Sequence, residues 1–141
     1  STRSPIWIGG GKAHGPNKER NYSEKVNKKM NRLAILGALS KRIKDGEVKV
    51  IDGFNFNPPK TKTVSISLKN LLNIPKKNKK YDVLLISDSN NRELNKISRN
   101  LQKSKTLNAD SLNVYDLLNY KHILIEEPSI VVIGRHYRIR K

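Results

Sequence analysis

The run "YDVLLIS", residues 81–87, decides the fold class that this sequence predicts. It is almost wholly apolar over the length of an ordinary strand, and polar residues do not alternate with apolar ones along it. A strand of this kind is covered on both faces, which is typical of a parallel sheet packed between helices. The run therefore predicts a buried strand in an α/β fold.

Segments on both sides of this strand alternate between helix and strand patterns. Upstream, the sequence predicts a helix, a strand, a helix and a charged loop over residues 27–45, 48–54, 61–72 and 76–80. Downstream, it predicts a helix, a strand, a helix and a strand over residues 90–101, 106–109, 113–119 and 122–127. This alternation implies a mainly parallel sheet flanked by helices, a three-layer α/β/α architecture. The last stretch, residues 128–141, fits a short helix from Pro128 or a further strand, followed by a basic tail.

The first predicted helix has an apolar face at helical spacing. That face is formed by Met30, Leu33, Ala34, Gly37 and Ala38, and it is widened by Leu36, Leu39 and Ile43. Gly46 follows the last periodic residue and predicts the stop of this helix. Asn113 begins the second helix predicted downstream of residues 81–87 and is a suitable N-cap.

The charge balance indicates a polyanionic partner. The 141 residues suggest one domain, and they include 29 Lys and Arg against 12 Asp and Glu, a formal net charge of +17. Self-repulsion of this size opposes a compact state unless a polyanion is nearby, and the usual polyanion is nucleic acid.

The absence of cysteine excludes disulfides and thiolate zinc sites. No apolar run has the length needed to cross a bilayer, so no membrane span is predicted.

The first 26 residues predict an extended basic arm, and residues 27–141 an α/β domain with a basic C-terminal tail. Glycines and prolines in "SPIWIGGGKAHGP" (residues 4–16) interrupt any helical or strand period. Such a segment orders on a partner, and its cations favour RNA. Trp7 either stacks on a base or packs on its own domain. The predicted RNA-binding residues are Arg3, Trp7, Gly9, Gly10, Gly11, Lys12, His14, Lys18, Arg20, Tyr22, Lys25, Lys28, Lys29 and Arg32.

Catalytic readings of the same residues are weaker. A Walker loop needs a glycine where Ile6 stands and a hydroxyl residue where Ala13 follows the lysine of "GGGK". Aspartates near strand ends are interpreted as turn residues, although Asp52 or Asp88 with "GGGK" would serve a nucleotide-handling enzyme. The three histidines lie far apart in sequence and show no metal-ligand spacing. The sequence therefore predicts no catalytic residue, metal, cofactor or small-molecule substrate.

Two stretches carry a resemblance to a known family. "RSPIWIGGGKAHGPNKERNYSEKVNKKMNRLAILGALS" resembles the core segment of large-subunit ribosomal protein four, a universal family whose long loop reaches the peptide exit tunnel. "DSLNVYDLLNYKHILIEE" resembles its second hallmark, and the order and separation of the two also match. In this second hallmark we expect Asn113 to cap a helix while Val114, Leu117 and Leu118 pack.

The resemblance implies a non-enzymatic constituent of the large ribosomal subunit. It implies large-subunit rRNA and neighbouring ribosomal proteins as partners, a role in assembly and translation, and an arm that is the return limb of the family's long loop near the exit tunnel. The family's N-terminal part is not matched, and Ile8 stands where arginine is common. "AHGP" and the Lys/Asn/Ile bias favour a mitochondrial ribosome, with a plastid or an AT-rich bacterium as the alternative. A secondary rRNA or protein contact is expected at Arg135, His136, Arg138 and Arg140. A free RNA-binding regulator is the third reading.

Overall fold

The computed structural model describes residues 3–54, 56, 60–75, 80–88 and 92–138. Five helices alternate with four strands along these parts of the chain. In chain order they are α1 (Lys28–Lys44), β1 (Val48–Ile51), α2 (Thr61–Leu72), β2 (Lys80–Ser87), α3 (Arg92–Ser98), β3 (Gln102–Asn108), α4 (Val114–Asn119), β4 (His122–Glu126) and α5 (Glu127–His136).

The four strands form one parallel sheet in the order β1-β4-β2-β3. The apolar strand β2 lies inside the sheet, and Leu85 pairs with Leu124 of β4 on one side and with Thr106 of β3 on the other. From β1 the chain moves across the sheet to β2 and β3, and then returns to insert β4 between β1 and β2. The predicted parallel sheet is confirmed.

Each face of the sheet has its own core, because successive side chains of a strand point to opposite faces. Leu84 and Ile86 of β2 pack with α1, α4 and α5. Val83 and Leu85 of the same strand pack with α2 and α3. The three-layer architecture is therefore confirmed. It also explains why "YDVLLIS" shows no alternation of polar and apolar residues.

Helix α1 contacts the sheet through only part of the expected face. Leu36, Ala38 and Leu39 pack against the core as predicted, and Ile35, which was not predicted, packs with them. Its buried residues are Ile35 and Leu39, whereas Met30 and Leu33 are each 62% exposed. Both sets repeat at helical spacing, so periodicity alone does not choose between them. The first two turns of α1 lie beyond the core, which leaves their apolar residues in solvent. The predicted apolar face is wrong for this part of the helix.

Helix ends follow the predicted signals. Gly46 has a φ of 70°, and the Glu47 N–H donates to the Arg42 carbonyl at 3.1 Å, which closes α1 in a Schellman motif. The Asn113 side chain accepts from the Asp116 N–H and caps α4 as expected. Pro128 lies in the first turn of α5, so the ambiguous last stretch begins as a helix.

Three expectations need adjustment at the level of single residues. Leu118 was expected to pack but is 52% exposed, because the short helix α4 turns Leu117 and not Leu118 toward the core. Strand β3 begins at Gln102, earlier than the predicted 106. Of the predicted loop over residues 76–80, Lys80 begins β2 and the other four positions lie outside the described residues.

Candidate nucleic-acid interface

The arm has local order only. Residues 3–27 contain no helix or strand, and nearly all of them are exposed. Short turns supply the order: Asn17 Oδ1 accepts from the Glu19 N–H at 3.2 Å, and Asn21 Oδ1 accepts from the Ser23 N–H at 2.8 Å. These are side-chain-to-backbone turns that need no tertiary partner. The arm therefore presents its side chains to solvent without burying a core of its own.

The glycine loop, residues 3–11, is the exception, because its backbone closes on itself. The Trp7 N–H donates to the Ser4 carbonyl at 3.0 Å, and the Gly10 N–H donates to the Trp7 carbonyl at 2.9 Å. The Gly11 N–H then donates to the Arg3 carbonyl at 2.9 Å. Two consecutive turns thus share Trp7, and a third hydrogen bond joins the ends of the loop.

Two of the three glycines are required inside this loop. Gly9 has a φ of 81°, the left-handed value that the second central position of a type II turn needs. A Cβ on Gly10 would lie 2.0 Å from the Ser4 carbonyl oxygen, closer than any real contact. A Cβ on Gly11 would lie an ordinary 3.4 Å from the Arg3 carbonyl oxygen. Close approach of these glycines to rRNA stays a prediction, and loop closure is a second reason for their presence.

Both aromatic rings of the arm face solvent. Trp7 is 61% exposed and Tyr22 is 78% exposed. The Arg20 guanidinium lies 5.1 Å from the centroid of the Tyr22 ring, which is cation–π distance. Of the two alternatives for Trp7, the structure places the ring in solvent and not in a core. Both rings are therefore accessible for stacking.

The predicted cations of the arm are exposed as well. Lys12, Lys18 and Lys25 have no hydrogen-bond or ion-pair partner among the described residues, and His14 is also exposed. In the α/β domain, by contrast, ion pairs join Arg42 to Glu47, Lys103 to Asp82 and Lys105 to Asp116. The unpaired ammonium groups of the arm remain available to phosphates.

The first turn of α1 adds to this positive surface. It contains Lys28 and Lys29 and no acidic residue, and Asn27 makes no side-chain capping bond there. Cations at a helix N-terminus oppose the positive end of the helix dipole, so this arrangement is unfavourable by itself. An anion at this point would relieve the repulsion.

The structure brings the root of the arm to the C-terminal tail. The Arg32 guanidinium donates to the Arg138 carbonyl at 3.4 Å. Arg135, His136 and Arg138 are exposed, whereas Arg140 lies outside the described residues. Arg32, the last residue of the first predicted set, thus lies beside the predicted contacts of the tail.

Tyr137 anchors the tail, and sequence reasoning missed it. Its hydroxyl accepts from the Leu112 N–H at 2.8 Å and donates to the Asp110 carbonyl at 2.9 Å. Burial raises the pKa of this tyrosine. The side chain is only 4% exposed, so it fixes the end of α5 to the loop before α4. The sequence signal for this anchor was an aromatic residue, Tyr137, within the otherwise basic tail between Arg135 and Arg138.

Arg42 is a cation of the α/β domain with a structural role. Its Nε donates to the Leu117 carbonyl at 3.0 Å, a second donor reaches the Leu118 carbonyl, and a third pairs with Glu47. It therefore satisfies the last carbonyls of α4 and joins that helix to α1.

The aspartates near strand ends do not form a common site. Asp82 has structural partners, and Asp52 and Asp88 follow strands that are not neighbours in the sheet. Burial raises the pKa of Asp82, but hydrogen bonds from Lys103 and the Lys121 N–H outweigh it and hold the pKa below 3.8. Asp82 and Lys103 both have positive φ, so their ion pair secures an irregular stretch between β2 and β3. Asp52 follows β1 and Asp88 follows β2. Strand β4 lies between these two strands in the sheet.

No enzyme-like arrangement is found in the described parts of the chain. "GGGK" has neither a preceding strand nor a following helix, since α1 begins only at Lys28. Among residues that the structure describes, no group of three His, Asp or Glu could hold a metal ion. In those same parts no helix is long and apolar enough to cross a membrane. A cavity of about 370 Å³ beside α3 and β3 is lined by Asn95, Ser98, Arg99, Ser104, Lys105 and Thr106.

Comparison with known proteins decides the family. The model of the Ribosomal protein L4/L1 family matches residues 1–135. The chain belongs to this family. A large ribosomal subunit protein uL4 of Mycoplasma capricolum is 35% identical over 137 residues, which are 97% of this chain and 64% of that relative. The uL4 proteins of Spiroplasma kunkelii and a Thermoanaerobacter species are 38% and 37% identical, again over 97% of this chain and 64% and 63% of the relative. The chain thus spans a little under two thirds of their length.

The second hallmark of the L4/L1 resemblance lies at a buried polar junction. The Asp116 carboxylate, 2% exposed, accepts from Lys105 Nζ at 2.6 Å and from Asn113 Nδ2 at 2.7 Å. Leu117 is fully buried beside it, and Val114 packs against the same core. This hallmark therefore fixes α4 to the sheet, as its structural interpretation predicts.

Proposed function

We propose that this L4/L1-family chain is a structural constituent of the large ribosomal subunit, which it joins by binding large-subunit rRNA through its basic arm. One observation carries the proposal: the arm and the start of α1 together hold eight Lys and Arg against two Glu over residues 1–32, and the described residues of the arm bury no core of their own. The relatives named large ribosomal subunit proteins support the assignment to that particle.

Phosphate binding is the proposed task of the exposed cations. Lys12, Lys18 and Lys25 have no competing partner among the described residues, and Lys28 and Lys29 add a positive helix end. Each phosphate contact releases counterions, so affinity falls steeply with salt. With about six contacts, affinity for isolated rRNA would fall roughly a thousandfold between low and physiological salt.

The α/β domain anchors the arm. We expect its two cores, the C-terminal cap of α1 and the N-cap of α4 to keep it folded without RNA, and the Arg32–Arg138 contact joins the root of the arm to the tail. We propose that the arm (residues 1–26) packs between rRNA helices near the exit tunnel, with neighbouring ribosomal proteins as further partners. The tail residues Arg135, His136, Arg138 and Arg140 are the proposed second contact.

No catalytic step is proposed for this chain. The nucleotide-handling alternative needs a phosphate loop, and "GGGK" lies among turns with the nearest following helix 16 residues beyond its lysine. The relatives reported above are bacterial, and the mitochondrial ribosome stays a prediction made from "AHGP" and composition. A plastid or bacterial ribosome remains the alternative.

Sedimentation tests the proposed function. The tagged chain is expressed in its source cells, and large subunits are separated on a gradient after a high-salt wash. We expect the chain to migrate with the large subunit, and cryo-electron microscopy of that fraction to show residues 3–32 running through rRNA. A chain that stays at the top of the gradient would support the free-regulator reading and contradict ours.

A further inference from the structure

The backbone of Trp7 is held from both sides within the glycine loop. Its N–H donates back to Ser4 and its carbonyl accepts from Gly10, so the same residue ends one turn and begins the next. The Gly11–Arg3 hydrogen bond then closes the base of the loop. The position of Trp7 relative to the loop is therefore set before any partner arrives.

The tip of this closed loop is apolar and exposed. Ile6, Trp7 and Ile8 are 92%, 61% and 107% exposed, although these side chains are ones that proteins usually bury. Arg3 and Lys12 border the tip in sequence, and the chain as a whole carries a charge of +17. An exposed aromatic ring with cations on both sides in sequence is suited to a nucleic acid, whose bases offer flat apolar faces and whose backbone is negatively charged.

We propose, resting on the rRNA-binding function above, that the glycine loop is a preformed wedge that stacks Trp7 on an unpaired RNA base. The two isoleucines then cover the edges of that base and its ribose, while the flanking cations contact the adjacent phosphates. Gly9 and Gly10 serve the wedge from inside, one by its left-handed φ and one by leaving room for the Ser4 carbonyl.

The closed loop lowers the cost of this contact. A flexible segment loses conformational entropy when it binds, whereas this loop has already fixed the residues around its tryptophan. Stacking of a base on an aromatic ring is worth enough that alanine substitution typically costs five- to hundredfold in affinity, roughly. Stacking also adds little to the salt dependence, because it neutralises no phosphate.

Intrinsic fluorescence tests the wedge directly, since Trp7 is the single tryptophan of the chain. The full chain is titrated with three probes at one ionic strength: an RNA duplex with one unpaired adenine, the same duplex fully paired, and heparin. We expect all three to bind through the cations. Only the duplex with the unpaired adenine is expected to quench Trp7 strongly. Equal quenching by all three, or binding of the first without quenching, would overturn the proposal.

Two matched pairs of variants sharpen the test. Trp7→Phe keeps an aromatic face and is expected to retain most of the affinity for the unpaired adenine, whereas Trp7→Leu loses it by about tenfold with an unchanged salt slope. Gly10→Ala opens the loop because of the 2.0 Å contact and weakens the same binding, whereas Gly15→Ala, at a position where an added Cβ meets nothing within 4 Å, leaves it unchanged. Equal affinities within each pair would contradict the wedge.

The outcomes separate this inference from the proposed function. If Trp7→Leu binds the unpaired base with the wild-type affinity, the stacking proposal is wrong. The proposed binding of rRNA by the arm is not affected by that result. Failure of the wild-type chain to bind any RNA probe at low salt would instead contradict the proposed function itself.

Discussion

The arm and the α/β domain are both basic, yet they reach order by different means. In the domain, β2 lies between two layers of helices, and Lys105 and Arg42 are paired with acids. In residues 3–27, order comes from turns between near neighbours, and the lysines have no acidic partner among the described residues. The difference teaches that positive charge alone does not mark an RNA surface. We therefore expect the cations that bind RNA to be those that the fold leaves without a partner.

Helix α1 belongs partly to the α/β domain and partly to the arm. Its C-terminal half packs through Ile35 and Leu39, whereas its N-terminal half carries Lys28 and Lys29 beyond the core. The half that packs belongs to the domain by its contacts. The half that projects has the exposure and charge of the arm. The boundary between the two regions thus lies inside a helix in physical terms, one or two turns after residue 26.

The largest effect is expected from a cavity in the domain. Leu84→Ala empties a fully buried position of β2 and should lower the free energy of unfolding by about 2–5 kcal/mol. Ile8→Ala is the matched change in the arm, and at 107% exposure it should leave the unfolding free energy unchanged. Urea denaturation followed by circular dichroism measures both. Equal destabilisation by the two variants would show that the arm packs as the domain does.

A second effect concerns RNA affinity and not stability. Replacing Lys28, Lys29 and Arg32 by Gln should reduce the slope of log affinity against log salt by about two to three units, since each phosphate contact contributes about 0.9. The matched control replaces Lys60, Lys62 and Lys96 on the opposite layer and should leave the slope unchanged. Filter binding to large-subunit rRNA over a range of salt concentrations measures the slopes. An equal loss from both triple variants would mean that the domain and the arm share the RNA surface.

A smaller effect is expected from the cap of α4. Asn113→Ala removes the acceptor for the Asp116 N–H and one donor to the buried carboxylate, and should cost about 1 kcal/mol of stability. Asn17→Ala removes a similar side-chain turn in the arm and should cost nothing measurable. Thermal unfolding of the two variants makes the comparison. A stable Asn113→Ala protein would contradict the structural interpretation of the second hallmark.

The smallest effect is a pH dependence within the domain. Burial, assisted by the charge of Lys121, holds the pKa of His122 below its ordinary 6.5. The unfolded state therefore takes up the proton first, so the stabilisation by neutral His122 is present above about pH 6.5 and is lost as pH falls through the lowered pKa. Unfolding free energies between pH 7.5 and 5 should fall for the wild type and fall less for His122→Gln. If the unfolding free energies of the two proteins fall equally with pH, the pH dependence arises from groups other than His122.

Much of the domain could be predicted from sequence because its signals are local. The apolar run of β2, Gly46 after α1 and Asn113 before α4 each specify a feature within a few residues. The face of α1 could be predicted only in part, since Leu39 packs as expected, whereas Ile35 with Leu39 and Met30 with Leu33 are both at helical spacing. Only the position of the sheet decides which pair is buried.

The candidate site divides along the same line. The cations of the arm were found by composition, whereas the sequence left open whether Trp7 packs on its own domain, and the structure exposes its ring. The closure of the glycine loop and the contact between Arg32 and Arg138 depend on three-dimensional neighbours. No local pattern specifies them, because the same glycines would also suit an open loop.

Hydrogen–deuterium exchange tests the central claim most directly, that the arm takes its order from RNA while the domain folds by itself. The full chain is compared with and without large-subunit rRNA. We expect amides of residues 12–27 to exchange at once in the free chain and to become protected when RNA binds, while β2 and β4 are protected in both states. Arm amides that exchange equally fast with bound RNA would contradict the account, as would a domain that becomes protected only when RNA is present.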